Sequence, residues 1–135
     1  MAMSDTTPLL IPSQTSSSVT VTSRSSADLY RRLQACLVPA DSPRSKFSNW
    51  SRTFECTPLA VFEPSDVDQC RLIFQLAHLE GRNVRIVGEG LSPSDLACTS
   101  DFMLRTSRLN KLRVVDTEKQ FVVCDGGIKL EDLER

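Results

Sequence analysis

A short apolar run, Asn83-Val84-Arg85-Ile86-Val87, leads directly into Gly88-Glu89-Gly90-Leu91-Ser92-Pro93-Ser94-Asp95. The run reads as a strand, and the residues after it neither prolong it nor open a helix. Two glycines loosen the backbone, and Pro93 fixes one dihedral and removes an N–H donor. A loop that leaves the carboxyl end of a strand is where open α/β folds take their ligands. Glycines there let the main chain approach an oxyanion, and successive N–H groups form an anion-holding concavity. Ser92 and Ser94 add hydroxyls without bulk. Phosphate or pyrophosphate cradling is therefore chemically sensible, although the same residues also suit an ordinary tight connection. No Gly-Lys-Ser/Thr comes after the glycines, so this is not a nucleotide P-loop. Pro93 stands where a dinucleotide fingerprint opens its helix, which excludes that motif as well.

The neighbouring sequence is regular. Leu59-Ala60-Val61-Phe62 reads as a short buried strand ended by Pro64. Ser65-Asp66-Val67-Asp68 offers a serine N-cap with carboxylates in the first turn, where they complement the helix dipole. Val67, Cys70, Phe74 and Ala77 then repeat at helical spacing, with Ile73 and Leu76 widening the stripe, until Gly81 ends the helix. Beyond the glycine loop, Phe102-Met103-Leu104, Leu112-Arg113-Val114-Val115 and Phe121-Val122-Val123-Cys124 read as strands. A turn at Thr117-Glu118-Lys119 joins the last two as a hairpin, Gly126-Gly127 makes another turn, and a helix begins at Leu130. The order implies an α+β or mixed α/β domain.

Composition excludes several functions. The chain has 135 residues, enough for one small core. Its net charge is −1, and its basic residues never run beyond a pair, so the footprint of a nucleic-acid binder is missing. No apolar run approaches the roughly 18 residues that read as a transmembrane helix. Five cysteines, an odd number with no Cys-x-x-Cys pair, argue against a disulfide framework or a thiolate metal site. They read as reduced, mostly buried thiols of an intracellular protein. His78 is the single histidine, which removes any multi-histidine metal site and leaves no spare base for a Ser-His-Asp arrangement.

The chain divides into three segments. Residues 1–26 are half serine and threonine and are expected to be disordered, because they bury too little apolar surface to offset ordering entropy. Residues 27–46 read as a short helix, with apolar positions Leu29, Leu33, Cys36 and Leu37, and a linker containing Pro39 and Pro43. Residues 47–135 carry the regular domain, opening with Phe47, Trp50 and Phe54, three aromatics expected to pack onto it.

From Phe47 to the end, the chain resembles the start of the FAD-binding domain of aldonolactone oxidases. These are the gulono-, D-arabinono-1,4- and galactonolactone enzymes among the vanillyl-alcohol-oxidase-like, PCMH-type flavoproteins. The resemblance rests on ordered features: Phe47, Asn49 and Trp50 as an F-x-N-W opening, Phe62-Glu63-Pro64-Ser65 at the entry to the helix, and Val87 to Asp95 as the family's V-G-x-G-H-S-P-S-D loop. Cys98-Thr99, Leu109-Asn110-Lys111 and Asp125-Gly126-Gly127-Ile128-Lys129-Leu130 continue it.

The resemblance implies the first half of a PCMH-type FAD-binding domain. It implies an oxidoreductase acting on a sugar-derived 1,4-lactone, in ascorbate or erythroascorbate synthesis, with mitochondrial association in relatives. The expected cofactor contacts are Gly88, Glu89, Gly90, Leu91, Ser92, Pro93 and Ser94. The Glu89 carboxylate must then turn away from the pyrophosphate, which would repel it. Several family members carry, at the position of Leu91, a histidine bonded to the flavin. Leucine has no nucleophile, so the expected FAD is non-covalent.

The family's second flavin-contacting segment and its substrate domain have no counterpart here, so the chain alone is expected to be inactive and truncated, with open strand edges inviting self-association. Two other readings stand beside this one: a degenerate remnant that acts as an interaction module, and a small domain that binds another phosphate ligand. No catalytic or metal residue is assigned. His78 reads as an exposed helical residue, Cys98 as a packed thiol, Trp50 as an anchor, Asp125 as a turn support, and Asp66 and Asp68 as parts of the helix start.

Overall fold

A computed structural model describes residues 25–134. The segment expected to be disordered lies outside these residues, except for Ser25, which caps the first helix through its side chain, and Ser26, which opens it. In chain order the elements are α1 (Ser26–Leu33), a 3-10 turn (Pro43–Ser45), β1 (Phe47–Ser48), β2 (Glu55–Cys56), β3 (Ala60–Phe62) and α2 (Val67–Glu80). They continue with β4 (Val84–Val87), β5 (Phe102–Arg105), β6 (Leu112–Asp116), β7 (Phe121–Cys124) and α3 (Leu130–Leu133).

The centre is a three-stranded parallel sheet in the order β3-β5-β4. Phe102, Met103 and Leu104 of β5 are buried on both faces, as the middle strand of a parallel sheet must be. Phe62, Phe102 and Leu104 meet Leu29 and Leu33 of α1 and Ile73, Leu76 and Ala77 of α2 in one apolar cluster, with the Phe62 and Phe102 rings edge to face at 5.4 Å. Val61, Met103 and Val87 form a second cluster with Phe47, joined at its margin by Cys56, Ala97 and Cys98. Helices thus cover one face. The β1–β2 hairpin and the exit of the glycine loop cover the other.

Parallel neighbours need a crossover of about a dozen residues or more. Between β3 and β4 that crossover is α2. Between the adjacent strands β4 and β5 it is the glycine loop itself, which returns over residues 88–101 without any regular element. The loop is therefore a structural necessity as well as a candidate site. The outer edge of β3 is covered by residues 36–38, through a Leu37–Phe62 bridge and hydrogen bonds from Val38 N to Val61 O and from Glu63 N to Cys36 O.

Every expected strand is present, and β6 and β7 form the expected antiparallel hairpin. Three local expectations need correction. The N-cap of α2 is Asp66 rather than Ser65: its carboxylate accepts from Gln69 N, and the Gln69 side chain returns to Ser65 N. The buried face of α2 runs through Ile73, Leu76 and Ala77, whereas Val67 and Phe74 are 58% and 46% exposed. The contact with α1 rotates the buried face away from them, and Tyr30 Oη, which donates to Glu80 Oε2 at 3.2 Å, holds the two helices together. Of the three aromatics near residue 50, only Phe47 is buried; Trp50 is 65% exposed. The segment before residue 47 packs into the core through Leu29, Leu33 and Cys36 rather than lying over it.

All five cysteines are free, one buried and four half-buried. Burial pushes the Cys36 thiol up to about 11.

Leu76→Ala leaves a cavity in the helix-side cluster and is expected to cost about 2–5 kcal/mol. Phe74→Ala on the outer side is expected to cost less than about 1 kcal/mol. Urea denaturation of both variants measures this directly. Equal losses would return the buried face to the Val67/Phe74 stripe.

Candidate functional site

The glycine loop is held from beneath by the β1–β2 hairpin. Gly90 sits at φ +70°, and a Cβ built there would come within 3.1 Å of the Phe47 ring, so a side chain at this position would be strained and would crowd the ring. Asn49, 2% exposed, is the central polar brace. Its Nδ2 donates to Ser92 O at 3.1 Å and to Thr53 Oγ1 at 3.0 Å, while its Oδ1 accepts from Thr53 N and Phe54 N. Trp50 N donates to Gly90 O at 3.0 Å. At the entrance, Thr106 N donates to Val87 O.

Three carbonyls of this segment are engaged: Val87, Gly90 and Ser92 each accept a hydrogen bond. Four successive amides are not. Among the described residues, none accepts from the N–H groups of Glu89, Gly90, Leu91 or Ser92. Successive unpartnered donors of this kind are chemically suited to receive an acceptor.

The space beside these amides is an open pocket of about 360 Å³. Phe47, Ile86, Gly88 to Ser92, Ser94 and Leu96 line much of it. Ile86, Leu91 and Leu96 are 56%, 68% and 67% exposed, so the pocket joins free amide donors to uncovered hydrocarbon. The Ser92 and Ser94 hydroxyls lie 2.9 Å apart and hydrogen-bond each other, and Ser94 N donates to Ser92 Oγ. Pro93 brings no N–H and contributes shape.

Two features escaped the sequence reading. The Phe47–Asn49 brace is one; a buried asparagine flanked by aromatics was its signal, but its partner in the loop is 43 residues away. The other is Lys129, whose Nζ lies 3.2 Å from Glu89 Oε2. The hydrogen bond to Glu89 holds the Lys129 ammonium above its ordinary pKa. The turn before Lys129 is packed tightly: a Cβ on Gly127 would lie 1.7 Å from Thr106 O, and Gly127 N donates to Leu109 O. Asp125 supports this turn as expected, accepting Ile128 N on its carbonyl and Arg113 and Lys111 N on its carboxylate.

The remaining candidates stay structural. His78 is exposed on α2, the helix that covers the other face of the sheet. Burial, with the neighbouring Cys56, raises the Cys98 thiol, which favours its protonated form. No metal-holding cluster of His, Cys, Asp or Glu occurs among the described residues.

A family model described as FAD binding domain matches residues 58–135, more than half of the chain, and the protein belongs to that family. It is 44% identical over 88 residues to the L-gulonolactone oxidase of Bos taurus, an alignment covering 65% of this chain and 20% of that protein. It is 34% identical over 71 residues to the D-arabinono-1,4-lactone oxidase of Debaryomyces hansenii, covering 53% and 13%. The chain thus spans about a fifth or less of the length of these curated relatives. Among solved structures, a xylooligosaccharide oxidase from Myceliophthora thermophila C1 in complex with xylobiose superposes with a TM-score of 0.65 at 15% identity, over 78% of this chain and 23% of that one. The mixed helix and strand fold is that of a PCMH-type FAD-binding domain.

Asn49→Ala removes the brace and leaves Ser92 O and two hairpin N–H groups without partners. It is expected to cost about 3 kcal/mol and to speed hydrogen exchange at residues 90–92. Denaturation and amide exchange report the two effects; a loss under about 1 kcal/mol would mean that the loop keeps its shape unaided.

Proposed function

We propose that this domain binds FAD without a covalent tether, the diphosphate held by the loop from Gly88 to Ser94, in a protein that oxidises a sugar-derived 1,4-lactone. The observation that carries the reading is the set of free N–H groups at Glu89, Gly90, Leu91 and Ser92, above carbonyls fixed by Asn49, Trp50 and Thr106. Gly88 and Ser94 flank them and Pro93 sets the turn. In this reading residues 47–135 are the cofactor unit, and residues 27–46 dock on its helix face.

The pocket suits the rest of the cofactor as well. Burying the exposed Ile86, Leu91 and Leu96 side chains against a flat apolar ring supplies hydrophobic contact that a bare phosphate ligand lacks. When bound, FAD supplies the hydride acceptor for oxidation of a carbinol carbon. The residues of this chain bind and orient it. The amides fix the diphosphate, Phe47 and the leucines exclude water from one side, and the Gly90 turn sets the closest approach of the main chain. The lactone itself comes from the likeness to the L-gulonolactone and D-arabinono-1,4-lactone oxidases.

Absence of a covalent link is argued from chemistry. Leu91 presents only hydrocarbon, and no histidine, cysteine or tyrosine lines the pocket. No helix among the described residues is long and apolar enough to cross a membrane.

A second reading has its own support. Leu112, Val114 and Val115 of β6 and Phe121, Val122 and Val123 of β7 are all 44–57% exposed, so the hairpin shows hydrocarbon on both faces. That favours an interaction module pairing through its strand edges.

The deciding experiment is to load the chain with FAD, remove excess by gel filtration, and precipitate it with acid. Co-elution of flavin, followed by its release into the supernatant, is the expected result. Yellow colour in the pellet would overturn the non-covalent mode. A colourless oligomer from the column would favour the interaction module.

A further inference from the structure

The loop proposed to hold a diphosphate carries a carboxylate at its centre. Glu89 lines the pocket, its side chain is 47% exposed, and none of the pocket-lining residues is a cation. A diphosphate brings about two negative charges to within several ångströms of that carboxylate, and the repulsion weakens binding by roughly tenfold even in a largely aqueous dielectric. The loop therefore needs a compensating cation from another part of the chain.

We propose that Lys129 is that cation: it positions and neutralises Glu89, so that the diphosphate does not meet an unpaired carboxylate between the two glycines. Its Nζ is 3.2 Å from Glu89 Oε2, and its backbone is set by the Gly127 turn, which admits no side chain against Thr106 O. Arg105, at the end of β5, is directed elsewhere. It lies over the Phe47 ring at 5.9 Å and donates to the carbonyls of Arg44 and Lys46. Lys129 thus has a role set by the loop's own sequence. A glutamate between the two glycines is tolerable because a lysine on a distant turn reaches it. Both partners are half-exposed, so the effect is screened by salt, unlike a packing effect.

This inference rests on the proposed diphosphate site, and the test separates the two. FAD affinity is measured by flavin fluorescence at low and high ionic strength for the wild-type chain, Lys129→Met, Lys129→Arg, Glu89→Gln and the Glu89→Gln/Lys129→Met double variant, with circular dichroism to confirm folding. Lys129→Met is expected to weaken binding about tenfold at low salt and much less at high salt, and Lys129→Arg to restore it. Glu89→Gln is expected to bind at least as well as wild type, and the double variant to match Glu89→Gln, because the lysine is no longer needed once the carboxylate is gone. A double variant as weak as Lys129→Met, or a Lys129→Met that binds like wild type, overturns the role of Lys129 while leaving the site. Failure of the wild type to bind FAD at all overturns both.

Discussion

The Asn49 side chain decides what the glycine loop is. Adjacent parallel strands β4 and β5 force the chain to return across the sheet, and a return over residues 88–101 without a helix or strand leaves many backbone groups to satisfy. The β1–β2 hairpin answers half of that demand. Asn49 Nδ2 and Trp50 N take the carbonyls of Ser92 and Gly90, and Phe47 fills the space beneath Gly90. With these carbonyls tied to the hairpin, the N–H groups from Glu89 to Ser92, in residues that line the pocket, keep no partner among the described residues. The polarity of the site is thus a consequence of topology and of one buried amide side chain, with no contribution from a helix dipole.

That division also explains why the site tolerates its own side chains. Main-chain donors are indifferent to what hangs from the Cα, so a leucine and a glutamate occupy positions in the middle of the loop. In the proposed reading the leucine adds hydrocarbon where a flat ring would lie, and the glutamate is a liability that the Lys129 pairing offsets. The backbone would then carry the phosphate-facing chemistry, with ring contact, tether and charge set by the side chains.

Much of this was legible in the sequence. Short apolar runs bounded by proline, glycine and polar residues mark β3 to β7, and the middle one stands out because Phe102-Met103-Leu104 is apolar at successive positions; the two-residue strands β1 and β2 carry no such run and were missed. Glycine and proline chemistry marked the loop, while its reading as a cofactor site needed the family resemblance. What stayed hidden depends on contacts distant in sequence. The periodicity of α2 admits two overlapping faces, and only the packing of α1 selects Ile73 and Leu76 over Phe74. Ser65 and Asp66 are both good caps, and the choice between them turns on where the chain leaves β3. The Asn49–Ser92 and Glu89–Lys129 contacts join segments with no periodic relation, so no local pattern announces them.

The central claim, that unpaired main-chain amides of this loop grip a diphosphate, is tested most directly by tracking backbone N–H resonances of the isotopically labelled chain during titration with ADP. Saturable shifts concentrated at Glu89, Gly90, Leu91 and Ser92, with α2 and the β6–β7 hairpin unmoved, are the predicted result. Shifts confined to another surface, or a loop whose amide signals ignore the nucleotide, would contradict it.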